Sequence, residues 1–96
     1  MNPDKHAARR RDILIQSGTI MYGQMWLDPM AVAMGRSRKT IHRWSIGQTA
    51  MPDDIEVRLL VLLRGHRAQI TALVDRIASQ VREGRSGAAV ERLGAQ

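Results

Sequence analysis

The chain has 96 residues, enough for one small domain with a modest buried fraction and a thin stability margin. It contains no cysteine, which excludes a disulfide framework and a thiolate metal site, and His6, His42 and His66 are scattered without an acidic cluster beside them. A net charge of +6 and a pI near 11.3 point to a polyanionic partner, usually nucleic acid.

The first predicted element runs from about Lys5 to Tyr22. Pro3 and Asp4 suit a helix start, and Ala7, Ile13, Leu14, Met21 and Tyr22 have roughly helical spacing. Gly18 interrupts the pattern at a cost of about 1 kcal/mol relative to alanine, and Gly23 ends it. Arg9, Arg10 and Arg11 form a basic cluster on this helix, either solvated or against phosphate.

A second helix is predicted over Trp26 to Met34, with Asp28 as its cap and Pro29 in its first turn. Met30, Ala31 and Met34 supply its apolar face, and Gly35 follows at a position that favours positive φ. A third helix runs from Ser37, its N-cap, to Ile46, with Gly47 beyond. Ile41 and Trp44 share one side of it, and Arg38, Lys39, His42 and Arg43 occupy the other. The two tryptophans, Trp26 and Trp44, read as core rather than as a base-stacking platform.

After the loop Gln48 to Pro52, Asp53 is expected to cap a long helix. Ile55, Leu59, Leu62, His66, Ile70, Leu73, Ile77 and Val81 recur at spacings of three and four as far as about Glu83. Gly65 is the weak point, and the pattern leaves open whether the helix continues through it. From Gly84 the chain reads as a flexible tail with at most one helical turn around Ala88 to Leu93. No strand signal appears, and the fold class is all-α: a compact helix-turn-helix bundle of four to five helices with a long C-terminal helix. The division expected is a helix-turn-helix domain over residues 1–64, a helical extension over 65–83 and a tail over 84–96.

The charge is unevenly placed. Residues 53–96 carry seven arginines against six acids, whereas residues 28–52 carry Arg36, Arg38, Lys39 and Arg43 against Asp28 alone. The same stretch has the offsets that a helix-turn-helix requires. Ala31 is small enough for close helix packing, Gly35 lies four positions on, and Ile41 lies six positions past the glycine.

These residues resemble the helix-turn-helix of the phage-repressor class, the Xre or Cro type, over roughly residues 8 to 64. That pattern has a Leu-Ala pair, a glycine four residues on, a Ser-x-x-Thr-Ile-x-Arg-Trp recognition helix, then Gly and Pro. Here Met30-Ala31, Gly35, the run Ser37 to Trp44, Gly47 and Pro52 stand in those places, with Met30 the one departure. The resemblance implies sequence-specific binding of double-stranded DNA by a transcriptional regulator, a repressor by preference, with helix 37–46 in the major groove. It assigns base reading to Arg38, Lys39, Thr40, His42 and Arg43, since an arginine there can pair bidentately with guanine O6 and N7. Gln24, Arg36, Ser37, Ser45, Gln48 and Thr49 suit phosphate contacts, which set register. Ala31, Gly35, Ile41 and Trp44 form the frame.

One recognition helix spans few base pairs, so a homodimer on a palindromic operator is expected. The apolar stripe past Arg64, comprising Ile70, Leu73, Val74, Ile77 and Val81, is the expected dimer interface. No catalytic constellation, cofactor motif or small-molecule substrate site is evident, and the chain does not read as an enzyme. The N-terminus lacks an apolar signal core and no apolar run can span a bilayer, so the expectation is a cytoplasmic protein with no membrane partner. The rivals are a helical protein-binding adaptor or antiactivator, and an excision or antitoxin accessory DNA-binding protein of a mobile element.

Overall fold

The computed structural model of the chain describes residues 3–84, with side chains from Lys5 onward. Among these residues there are four α-helices and no strand: α1 (Pro3–Tyr22), α2 (Leu27–Met34), α3 (Arg38–Ser45) and α4 (Ile55–Glu83). The chain is all-α with a long C-terminal helix, and it divides into two compact units, Met1–Arg64 and Gly65–Gln96. No helix among the described residues is long and apolar enough to cross a membrane.

In the first unit α1 packs on α2 and α3, and α2 packs on α3. The core joins Leu14 of α1, Trp26, then Met30, Ala31 and Met34 of α2, Ile41 and Trp44 of α3, and Ile55 and Leu59 of α4. Leu14, Met30, Ile41, Ile55 and Leu59 are fully enclosed, and burying a side chain of that kind stabilises by roughly 1.5–3 kcal/mol. Both tryptophans belong to this core. The buried stripe of α1 is narrower than its sequence spacing suggests. Leu14 faces inward, whereas Ile13 is exposed, and Met21 and Tyr22 are half-buried.

Gly18 is a packing residue rather than an interruption. It lies within α1, and a Cβ there would overlap the six-membered ring of Trp26. The absence of a side chain at residue 18 is what seats Trp26 against α1. The helix ends as expected at Tyr22, where the Gly23 N–H donates to the Thr19 carbonyl at 2.9 Å.

Asp28 does not cap α2. Helix α2 begins at Leu27, two residues before the start that an Asp28 cap would set; Trp26 stands at the N-cap in helical conformation and makes no side-chain cap bond. Asp28 lies inside the first turn, where a carboxylate opposes the positive end of the helix dipole, and Pro29 follows it there without a lost hydrogen bond. Helix α2 ends in a Schellman turn. The Arg36 N–H donates to the Ala31 carbonyl at 2.9 Å and the Gly35 N–H to the Val32 carbonyl at 3.2 Å. The turn requires a left-handed residue, and Gly35 supplies it with φ of +67°.

Helix α3 starts as the sequence predicts. Ser37 is extended, and its Oγ accepts the Thr40 N–H at 3.1 Å. The far end repeats the Schellman geometry, with the Gln48 N–H donating to the Arg43 carbonyl at 2.9 Å and Gly47 at φ of +76°.

Helix α4 begins at Ile55, so Asp53 lies outside it and Asp54 takes the flanking place. The Asp54 carbonyl accepts the Arg58 N–H at 3.0 Å, and its Oδ2 accepts from Arg58 Nε at 2.9 Å. The hydrogen bond from the Arg58 guanidinium, helped by its charge, holds the Asp54 carboxyl below the usual carboxylate range. Gly65 does not split the helix, because α4 is helical from Ile55 to Glu83. In the second unit Ile70, Leu73, Val74, Ile77 and Val81 are all exposed. The expected turn at Ala88 to Leu93 lies outside the described residues.

Candidate nucleic-acid interface

The buried half of α3 fixes which of its side chains face solvent. Ile41 and Trp44 point into the core, so Arg38, Lys39 and His42 stand exposed on the opposite side, with Arg43 half-buried at its edge. Arg38, Lys39 and His42 line an open groove together with Leu27 of α2. Three of the four basic residues that the sequence places on this side line the groove, and Arg43 does not. Thr40 differs from the rest: its hydroxyl lies 3.0 Å from Ser37 Oγ and belongs to the helix cap.

The electrostatics of this helix are unusual for so short an element. Arg38 and Lys39 occupy its first turn, and no acid accompanies them there. Cations at a helix N-terminus face the positive end of the dipole, an unfavourable placement of about 0.3–1 kcal/mol each when solvent-exposed. The compensating carboxylate comes from the preceding helix. Asp28 Oδ1 lies 3.4 Å from Arg38 Nε, with the two side chains 70% and 62% exposed. Such an exposed pair is weak.

The flanking polar residues fall into two groups. Gln24, Arg36, Gln48 and Thr49 are exposed, with side chains open to solvent. Ser37 and Ser45 are engaged locally, since Ser37 Oγ is the α3 cap and Ser45 Oγ donates to the His42 carbonyl at 2.7 Å. A Ser45 hydroxyl held in that bond has no proton left for a phosphate oxygen.

The arginine cluster of α1 separates into three environments. Arg9 is exposed. Arg10 reaches across to the start of α4, donating from Nε to Glu56 Oε1 at 2.7 Å and from Nη2 to the Pro52 carbonyl at 2.6 Å. Arg11 lies against the turn after α3: a Cβ on Gly47 would stand 3.1 Å from its Nη1. It lines a cleft with Trp44, Gly47, Thr49 and Met51, which brings a cation beside one of the expected phosphate contacts. Sequence reading missed these assignments. The cluster is visible as a run, but the partners of Arg10 lie 42 and 46 residues away.

The five apolar residues of the α4 stripe stand in the second unit. Among the described residues no group of three or more histidines and acids is placed to hold a metal ion. No family model matches the chain, and no curated protein or solved structure matches it.

Proposed function

We propose that the chain is a sequence-specific double-stranded DNA-binding regulator that lays α3 in the major groove. The observation that carries this reading is the exposed basic face of α3, in particular two cations in its first turn without an acid of its own. That arrangement opposes the helix dipole in the free protein, and an anionic partner would relieve it. The helix is otherwise built for rigidity, with a serine cap, a Schellman turn at each side and two fully packed anchors, Ile41 and Trp44. A rigid helix with a charged outer face suits base-edge reading by Arg38, Lys39, His42 and Arg43. Arg36, Gln24, Gln48 and Thr49 suit the phosphates on either side.

The same reading takes the exposed stripe of α4 as a homodimer face that pairs two recognition helices on a two-fold operator. Occlusion of a promoter, hence repression, is the mode that needs no further surface. A protein-binding adaptor is less well supported, because the outer face of α3 is cationic rather than apolar.

Fluorescence anisotropy with duplex DNA at several salt concentrations tests the proposal. Binding that weakens steeply as salt rises, together with a preference for one duplex over scrambled competitors, supports it. Absence of binding to any duplex at low salt would remove it.

A further inference from the structure

The carboxylate of Asp28 is the acid placed on the basic face. It belongs to α2, yet it reaches the first residue of α3, with Oδ1 3.4 Å from Arg38 Nε. The relation between the two helices is fixed by the core under them, through Met30, Ala31 and Ile41, and by the Schellman turn at Gly35. The backbones that carry Asp28 and Arg38 therefore stand in a set relation, and their side chains meet as an exposed ion pair. Among the described residues, no ion pair engages Lys39, His42 or Arg43.

A guanidinium has five donors on a planar fork. A carboxylate paired on the Nε side of the fork leaves the two Nη groups at its end. Those two groups match the O6 and N7 acceptors that guanine presents in the major groove. The carboxylate also carries a cost. A negative charge on the surface that meets DNA repels the phosphates of any duplex, whatever its sequence. An acid that weakens binding everywhere, but aligns one arginine for one base, raises discrimination rather than affinity.

We propose that Asp28 is a specificity-determining positioning residue: it presents Arg38 end-on to a guanine and penalises sites that lack one. This rests on the DNA-binding reading above.

The experiment uses the full chain and a duplex carrying its preferred site, with each base pair of that site varied in turn. Four proteins are compared: wild type, Asp28→Asn, Arg38→Lys and the double variant. The base pair whose preference Arg38→Lys abolishes is the one that Arg38 reads, and it should be G·C. Wild type should favour it over A·T by about 10- to 100-fold, the range of one good bidentate contact. Asp28→Asn should bind non-specific duplex about 2- to 5-fold more tightly, and its discrimination at that pair should fall by about 3- to 10-fold. Adding Asp28→Asn to Arg38→Lys should cost no further discrimination, because Asp28 acts through Arg38.

Asp28→Glu keeps the charge and should recover part of the discrimination, which a purely structural role at the α2 start would not require. Unchanged discrimination in Asp28→Asn would overturn the inference, as would additive losses in the double variant or an Arg38→Lys that abolishes no base preference. In those cases wild type still selects a site and the DNA-binding reading stands. A wild type that binds no duplex removes both.

Discussion

At Gly18, two effects of known size oppose each other. Alanine gains about 1 kcal/mol of helix propensity over glycine, but its Cβ would enter the space filled by the Trp26 ring. Overpacking of that kind costs about 1–3 kcal/mol, and the overlap is with the body of a buried ring rather than with a flexible tip. Gly18→Ala should therefore destabilise by up to about 2 kcal/mol in urea unfolding, despite the better helix former. Arg10 offers a second test. Its side chain is only 15% exposed and bonds both Glu56 and the Pro52 carbonyl, so Arg10→Ala should lose about 1.5–3 kcal/mol, the range for hydrogen bonds to charged groups. Arg9→Ala, at an exposed position, should stay within about 0.5 kcal/mol in the same melts. Neither effect was legible in the sequence. A glycine inside a helix looks like a local weakness until the residue across from it is known, and three consecutive arginines look alike until the fold assigns each a face. Asp28 and Asp53 misled for a related reason: each stands near a helix start, and capping chemistry fits several neighbouring positions equally well.

At the scale of elements, the α2–turn–α3 unit was the most legible part. Its signals are local: Ser37 bonds an N–H three residues on, Gly35 supplies a positive φ, and Ile41 and Trp44 lie one turn apart on the same side. The helix ends at Tyr22 and Glu83 were legible too. Continuity through Gly65 was not, because propensity alone leaves a single glycine in a long helix ambiguous. The apolar stripe beyond it is exposed, with Ile70 at 61% and Ile77 at 50%. Under the proposed homodimer, this stripe of five exposed apolar residues is the contact surface. Ile70→Asp combined with Ile77→Asp should leave the helical circular dichroism signal in place, since both side chains are solvent-facing. Sedimentation should then report a 10.8 kDa monomer with weakened binding to a two-fold site. A dimer that survives both substitutions would place the interface elsewhere.

For the whole molecule, the net charge of +6 says less than its distribution. Residues 53–96 nearly balance, so the excess sits on α1 and on the helix-turn-helix stretch. Two copies would bring Arg36, Arg38, Lys39 and Arg43 to DNA twice over. If half to all of these eight cations displace counterions, log Kobs should fall against log salt with a slope between about −4 and −7. A shallow slope near −1 would mean that the basic face is not the contact surface. The measurement that bears most directly on the central proposal is selection of bound duplexes from a random pool with the full wild-type chain. The expected result is one enriched site with two-fold symmetry and half-sites about one helical turn apart, each containing a guanine whose enrichment disappears in Arg38→Lys. A pool that shows no enriched sequence after repeated rounds would contradict the assignment of α3 as a base-reading helix.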